Sequence, residues 1–404
     1  MRIGYPEDVL RGMRPGQRVY FQGGPGECEA FYDLLRDNPG LANGVELVSC
    51  LIPGINQLDY GALPGDVTLT TFMASTALEG SIASGRTRLR PMPYSEIGAL
   101  MAATAFDLAV LHTAPPDRAG NCSFGLACDM GPLAWPNARR KVAFINSQMP
   151  ALQGAESIPS DALDLGVEIN APLLSAGPTM ARGNPAVEEI SRLVAELVPD
   201  GATIQSGIGE TPAAAVAALR LHRGLRVHSG IITQEYRQLC DAGVIDPSAQ
   251  NVAGIAWGDP EFYKWLQQSG FVFRSARVTH DHALLAAIDG FVSIGSALEV
   301  DLEGGLNLEW RAGRRVSSVG GAPDYLRGAA ASRGGMSIIA LQSTGGGASR
   351  IVPKLSAPSI PGELADIIVT EHGVARLKGL SPRARAEAII AIASPEHRGY
   401  LSRG

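Results

Sequence analysis

The sequence predicts an α/β protein made of two similar α/β lobes with largely parallel sheets. Three observations carry this. Short β-rich runs are each followed by a Gly or Pro break and then by an Ala/Leu-rich helical run, the rhythm of strands joined through helices. The 404 residues exceed what one core usually organises, so two cores of roughly 200 residues each are expected. The alternation also restarts near the middle, after a stretch punctuated by Gly177-Pro178 and Asn184-Pro185.

In the first half, Val45 to Cys50, Phe106 to Leu111 and Lys141 to Asn146 read as strands, with a Pro/Gly-rich loop from Ala114 to Gly131 between the last two. The restart lies within Ser175 to Pro185, giving lobes over 1–180 and 181–404. Beyond it, Ala186 to Leu197 has a helical pattern, Ala202 to Gln205 reads as a strand, and Gly207-Ile208-Gly209 is a loop. Pro212 to Leu221 then forms an Ala-rich helix.

Composition narrows the function classes. With 45% hydrophobic and 18% charged residues, the chain reads as an ordinary folded protein. A net charge of -6 and a densest basic run of only Arg139-Arg140-Lys141 argue against nucleic acid, which needs a concentrated basic face. Five cysteines without CxxC pairing suit a reducing cytoplasm. No apolar run of signal-peptide or membrane-span length is visible, so a cytoplasmic protein without membrane partners is expected.

Several segments could carry chemistry. Ile204 to Pro212 sets Gly207 and Gly209 between a strand and a helix, where backbone amides can approach a phosphate or carbonyl or simply make a tight turn. Gly320-Gly321 within Ser317 to Asp324, and Gly345 to Arg350, are further close-approach or loop segments. Such clusters after successive strands point to one edge of a sheet, where open α/β folds bind ligands. Glu371 and His372 follow a β-branched run, as a catalytic pair or as a turn cap and an exposed histidine. Thr279-His280-Asp281-His282 lacks further ligands at metal spacing, so no metal is expected.

The order and spacing of these segments resemble the acetyl-CoA hydrolase/transferase family, the class I CoA-transferases of the 4-hydroxybutyrate and acetate type. The residues that carry the resemblance include Ile204 to Pro212, Ser296 to Leu302, Val319 to Asp324, Ser349 to Pro353, Thr370 to Ala375 and Ser394 to Arg398. It spans about 200–401, with fainter support from Asp117 to Gly120 and Ile145 to Pro150. The resemblance implies acyl-CoA as cosubstrate with a second, acceptor molecule, and a homo-oligomer. Contacts to CoA would come from Gln205, Gly207, Gly209, Gly320, Gly321, Asp324 and Gly346, with the acyl-CoA across the lobe interface.

In that family a glutamate attacks the acyl-CoA carbonyl to give a mixed anhydride. The released thiolate converts it to a glutamyl-CoA thioester, which a second carboxylic acid resolves. The family's His-Thr-Glu-Met run corresponds here to His228-Ser229-Gly230-Ile231, so the nucleophile position falls on Gly230. The family's asparagine before Ser-Ala-Leu-Glu-Val-Asp corresponds to Gly295, while Glu371 is retained. His228, Gly230, Gly295 and Glu371 are therefore the expected catalytic positions. The resemblance thus implies a diverged acyl-CoA enzyme, with the lost carboxylate leaving room for water, an amine or a carbanion. Two alternatives stand beside it: a transferase that has recruited another carboxylate such as Glu235, and a non-catalytic acyl-CoA-binding subunit. Ser229 and Thr233 are potential nucleophiles or turn residues, and Cys240 is a potential nucleophile or a packed thiol.

Overall fold

A computed structural model describes residues 1–152, 154–177 and 183–403. The chain forms two units. One comprises Met1–Pro178, Val252–Thr279 and Val316–Ser318; the other comprises Thr179–Asn251, His280–Arg315 and Val319–Gly404. Val252–Thr279 thus belongs with the first unit despite its place in the second half of the sequence. The expected change of lobe between residues 180 and 181 lies outside the described residues.

The first unit carries an eight-stranded sheet. Its order is Arg2–Ile3, Leu165–Ile169, Ala138–Asn146, Phe106–Thr113, Arg18–Phe21, Glu46–Val48, Thr68–Thr71 and Thr87–Leu89. Every pairing is parallel. Helices cover such sheets on both faces, so the central strands read as apolar runs rather than alternating ones. Phe106–Thr113 is buried at every residue but Asp107. The helix Glu29–Asp37 buries Phe31, Leu34 and Leu35, a single stripe at helical spacing, into the core with Val19, Phe21, Leu108 and Phe144. Three strands follow Arg18–Phe21 on one side before the chain returns to its other side with Phe106–Thr113.

At that reversal the chain turns through Gly23–Gly26. A side chain at Gly23 would sit 2.2 Å from the Cys50 carbonyl oxygen, so only glycine fits there. The Asn56 side chain ties the turn together. Its Oδ1 accepts from the Gly24 and Ile52 amides at 3.0 and 2.7 Å, and its Nδ2 donates to the Gly24 carbonyl and to Glu27 Oε2 at 2.9 and 3.1 Å. Glu27 itself is buried, and loss of hydration pushes its carboxyl up to about 7. His112 lies between the Gly26 carbonyl and the Asn146 amide, and burial holds its imidazole down at about 4.

In the second unit, Thr203–Ser206 pairs with Arg226–Ile232 on one side and Phe291–Gly295 on the other, all parallel. Met336–Ala340 and Ile367–Thr370 continue the sheet in parallel, and Gly373–Arg376 closes that edge antiparallel. The helix Pro185–Leu197 starts where expected: Asn184 Oδ1 accepts from the Ala186 and Val187 amides, and proline occupies the first helical position. The Ala-rich helix runs over Glu210–Ala218, two residues earlier than the sequence pattern indicates, and tightens into a 3₁₀ turn at Leu219–Leu221. Pro212 lies in the first turn, where its missing amide costs no intrahelical hydrogen bond, so the helix can begin two residues before it. Among the described residues, no helix is long and apolar enough to cross a membrane.

Candidate active site

The second sheet also reverses direction of progression at its first strand, between Thr203–Ser206 and Phe291–Gly295. Open α/β sheets hold ligands outside the carboxyl ends of strands at such a point. Here the two strands are joined by Ser293 Oγ, which donates to Gln205 Oε1 at 2.8 Å, and by the Gly207 amide, which donates to the Ile294 carbonyl at 2.9 Å. A Cβ on Gly207 would lie 3.9 Å from the Gly295 Cα. Three of the expected positions, Gln205, Gly207 and Gly295, therefore meet at one strand end. Gly209, with φ at 131°, then leads into the helix Glu210–Ala218.

Gly295 has space in front of it, since an added Cβ would meet only Ile339 Cδ1 at an ordinary 3.6 Å. Gly295→Asn is therefore expected to change unfolding free energy by less than about 1 kcal/mol, which thermal denaturation checks.

Two strands further along the sheet, Ile367–Thr370 delivers Glu371. Its carboxylate is fixed from the neighbouring strand's continuation. The Ser343 amide donates to Oε2 at 2.9 Å, and the Ser343 hydroxyl donates to Oε1 at 2.6 Å. The His372 imidazole stands 3.7 Å from Oε1. A carboxylate with two charge-assisted hydrogen bonds keeps one orientation, as a positioned base or acceptor-orienting group requires.

Position 230 is the opposite case. Gly230 lies on Arg226–Ile232, and a Cβ built there would come 2.7 Å from Tyr325 Oη, 2.8 Å from His280 Cε1 and 3.0 Å from His280 Nε2. The same imidazole edge faces Gly321, whose Cβ would lie 2.6 Å from Nε2. The room expected beside Gly230 is thus filled: an imidazole and a phenol occupy the direction a side chain would take. Burial holds the His280 imidazole down at about 3, and the nearby His228 and His282 reinforce that, so it is neutral at working pH. His228, on the same strand as Gly230, is buried.

The remaining expected residues are spread over the unit. Asp324 is fully buried in the helix Ala322–Ala331 and accepts from His282 Nε2 at 2.9 Å. Gly320 has φ at 54°, a conformation glycine adopts without strain. Gly346 and Gly347 form the exposed turn between Thr344–Gly345 and Ala348–Ser349, both with positive φ. A two-residue hairpin turn demands that conformation.

The side chains near position 230 that were expected as alternative catalytic groups are engaged locally. Ser229 is fully buried and donates to the Ile231 carbonyl at 2.6 Å. Thr233 donates to Glu235 in the first turn of Gln234–Asp241, where a carboxylate favours the helix end. Cys240 is half-buried rather than fully packed, and burial pushes its thiol up to about 12. Among the described residues no group of three or more His, Cys, Asp or Glu could hold a metal ion.

Sequence reasoning missed Ser343, His280 and Tyr325. Ser343 gives no local signal, because its role comes only from the register of adjacent strands. His280 drew notice only as half of a His-x-His pair, and its contact with Gly230 joins residues fifty positions apart.

A glycine turn at the reversal of a doubly wound sheet, with a fixed carboxylate at the end of a strand further along the same sheet, is the construction of a ligand-handling α/β enzyme. The chain belongs to the acetyl-CoA hydrolase/transferase family. The family's N-terminal domain matches residues 66–171 and its C-terminal domain matches residues 258–404. The match in the first half is thus fuller than the sequence motifs indicate, and the Gly230 segment lies between the two matched stretches. The 4-hydroxybutyrate coenzyme A transferase of Clostridium kluyveri is 31% identical over 413 residues, covering 98% of this chain and 95% of that protein. Among solved structures, RipA from Yersinia pestis superposes with a TM-score of 0.91 at 28% identity, covering 100% of this chain and 96% of RipA. A 4-hydroxybutyrate CoA-transferase from Porphyromonas gingivalis gives 0.83 at 28% identity, with the same coverage. The expectations of a two-lobed α/β fold and of a transferase or hydrolase enzyme stand with that membership.

Proposed function

We propose that this chain transfers or hydrolyses the acyl group of an acyl-CoA thioester without forming a glutamyl-enzyme intermediate. The observation that carries the reading is at position 230, where the strand presents glycine and the neighbouring volume holds His280 and Tyr325 instead of a carboxylate. A glycine cannot form an anhydride, so the acyl group passes directly to its acceptor. The thioester of CoA, the substrate named for the relatives, is assigned to the strand ends around Gln205, Gly207 and Gly295, a reading supported by the open space in front of Gly295. Glu371, clamped by Ser343, then orients the acceptor or takes its proton. In this reaction the C–S bond of the thioester breaks, a bond from the acceptor to the acyl carbon forms, and the acceptor's proton leaves with the CoA thiol. The expected homo-oligomer and the cytoplasmic location belong to the same proposal.

The test is mass spectrometry of the purified protein incubated with short and aromatic acyl-CoAs, with and without added carboxylic acids or amines. The expected result is free CoA released with water or a non-carboxylate acceptor, and no borohydride-reducible thioester on the protein. A labelled glutamate together with CoA exchange onto an added acid would return the protein to the double-displacement transferases.

A further inference from the structure

We propose that His280 and Tyr325 are positioning residues that occupy the place of the nucleophile, so that glutamate chemistry cannot be regained by substitution at position 230 alone. This deepens the proposed function and rests on its reading of Gly230 as the nucleophile position. The steric part of it stands on geometry within one unit.

The imidazole is wedged between two glycines. One of its edges lies within 3.0 Å of where a Cβ of Gly230 would stand, and its Nε2 within 2.6 Å of a Cβ of Gly321. A side chain at either position would have to displace the ring toward the other glycine's backbone. Sideways escape is limited by Tyr325, whose ring centroid is 4.6 Å from that of His280. Tyr325 is itself packed with Phe291, Leu285 and Ala329, its ring centroid 6.3 Å from Phe291. The helix that carries Tyr325 cannot retreat cheaply, because it packs closely on Leu285 through Gly328, where a Cβ would stand 2.5 Å from the Leu285 Cβ. Well-packed interiors resist added atoms, because each must push side chains off their preferred rotamers or shift backbone.

The wedge also differs chemically from what it replaces. Where a carboxylate would be a negative nucleophile, the His280 imidazole is neutral, since both burial and the adjacent histidines oppose its protonation. It adds no charge to the thioester's surroundings.

The experiment is a double-mutant cycle on the full chain, with Gly230→Glu, His280→Ala and the pair, each melted with and without CoA. Gly230→Glu in the native background is expected to lower Tm by roughly 5 °C or more, and in the His280→Ala background to lower it by less than half as much. Gly230→Ala gives the same comparison with a single added carbon, should the glutamate variant fail to fold. Equal losses in both backgrounds would overturn the wedge formed by the imidazole and leave Tyr325, whose Oη lies 2.7 Å from the added Cβ, as the remaining barrier. In mass spectrometry after incubation with acetyl-CoA, a glutamyl-CoA thioester on the doubly substituted protein and none on Gly230→Glu is the expected pattern. An adduct formed as readily by Gly230→Glu alone would also overturn it. The unsubstituted protein serves as the separate control: a thioester found on it refutes the proposed function but leaves the coupling between positions 230 and 280 to stand on the melting data.

Discussion

Replacing Glu371 by glutamine lowers kcat for thioester consumption by about 10²–10⁴-fold, the usual range for a positioned general base. The basis is that both carboxylate oxygens are committed to Ser343, one to its amide and one to its hydroxyl. Glutamine offers one oxygen to two donors, so it forfeits the base and loosens the orientation at the same step. A group that acts only in the transition state lowers kcat and kcat/KM together, and that is the pattern expected in initial-rate kinetics. Ser343→Ala keeps the amide and the carboxylate but loses the hydroxyl, so its loss should be smaller, about 10-fold, as for one charge-assisted hydrogen bond. The turn-capping alternative predicts otherwise. If Glu371→Gln turns over at the native rate and only melts earlier, Glu371 is an anchor of the strand end and not a base.

The fold was legible wherever local pattern and tertiary burial agree. Phe106–Thr113 and the Val142–Asn146 part of the next strand are buried in a parallel sheet, and such strands appear in sequence as largely apolar runs. The helix Pro185–Leu197 was legible from its Asn-Pro start, because both the cap and the proline act within a single turn. The passage of Val252–Thr279 into the first unit was not. Nothing in the composition of such a run says which unit it packs with, because that is decided by contacts between residues far apart in the chain.

The site divides along the same line. Gly207, Gly295 and Glu371 sit at strand ends, and a strand followed by glycine or by an acid is visible in a linear string. The filling of the space beside Gly230 is not visible, because it depends on a ring from the loop before His282–Ala287 and another from the helix Ala322–Ala331. The sequence suggested a vacancy because deletion of a side chain, taken alone, removes volume. Close packing makes vacancies costly, by roughly 24 cal/mol per Å³ in measured core deletions, so neighbouring groups that can fill the space are favoured to do so. On the proposed function, glycine at position 230 and the filling of the space beside it by His280 and Tyr325 form one coupled change.

Burial of Glu27 contributes a loss of stability of about 3 kcal/mol as pH rises from about 4.5 to 7, and Glu27→Gln should remove that contribution. Glu27 is buried in the first unit, and loss of hydration, helped by the negative charge of Glu29, raises its carboxyl from 4.5 to about 7. Between those values the unfolded chain has released the proton and the folded protein still holds it. At this group the folded state therefore binds more protons, and its contribution makes unfolding easier with increasing pH through that window; above it the full cost of the buried charge is present. Glutamine keeps the oxygen that accepts from Asn56 Nδ2 and cannot ionise. Asp129, raised by burial and bonded to Tyr94 Oη, acts in the same direction, while His112 and His280, held low by burial, act in the opposite one, so only the difference between the two proteins isolates Glu27. Denaturant unfolding of both proteins at pH 5 and pH 8 measures the difference. The variant should gain on the native protein by about 3 kcal/mol between the two, whereas a gap that does not change with pH would mean that Glu27 is ionised throughout and that its burial is compensated by groups other than Asn56.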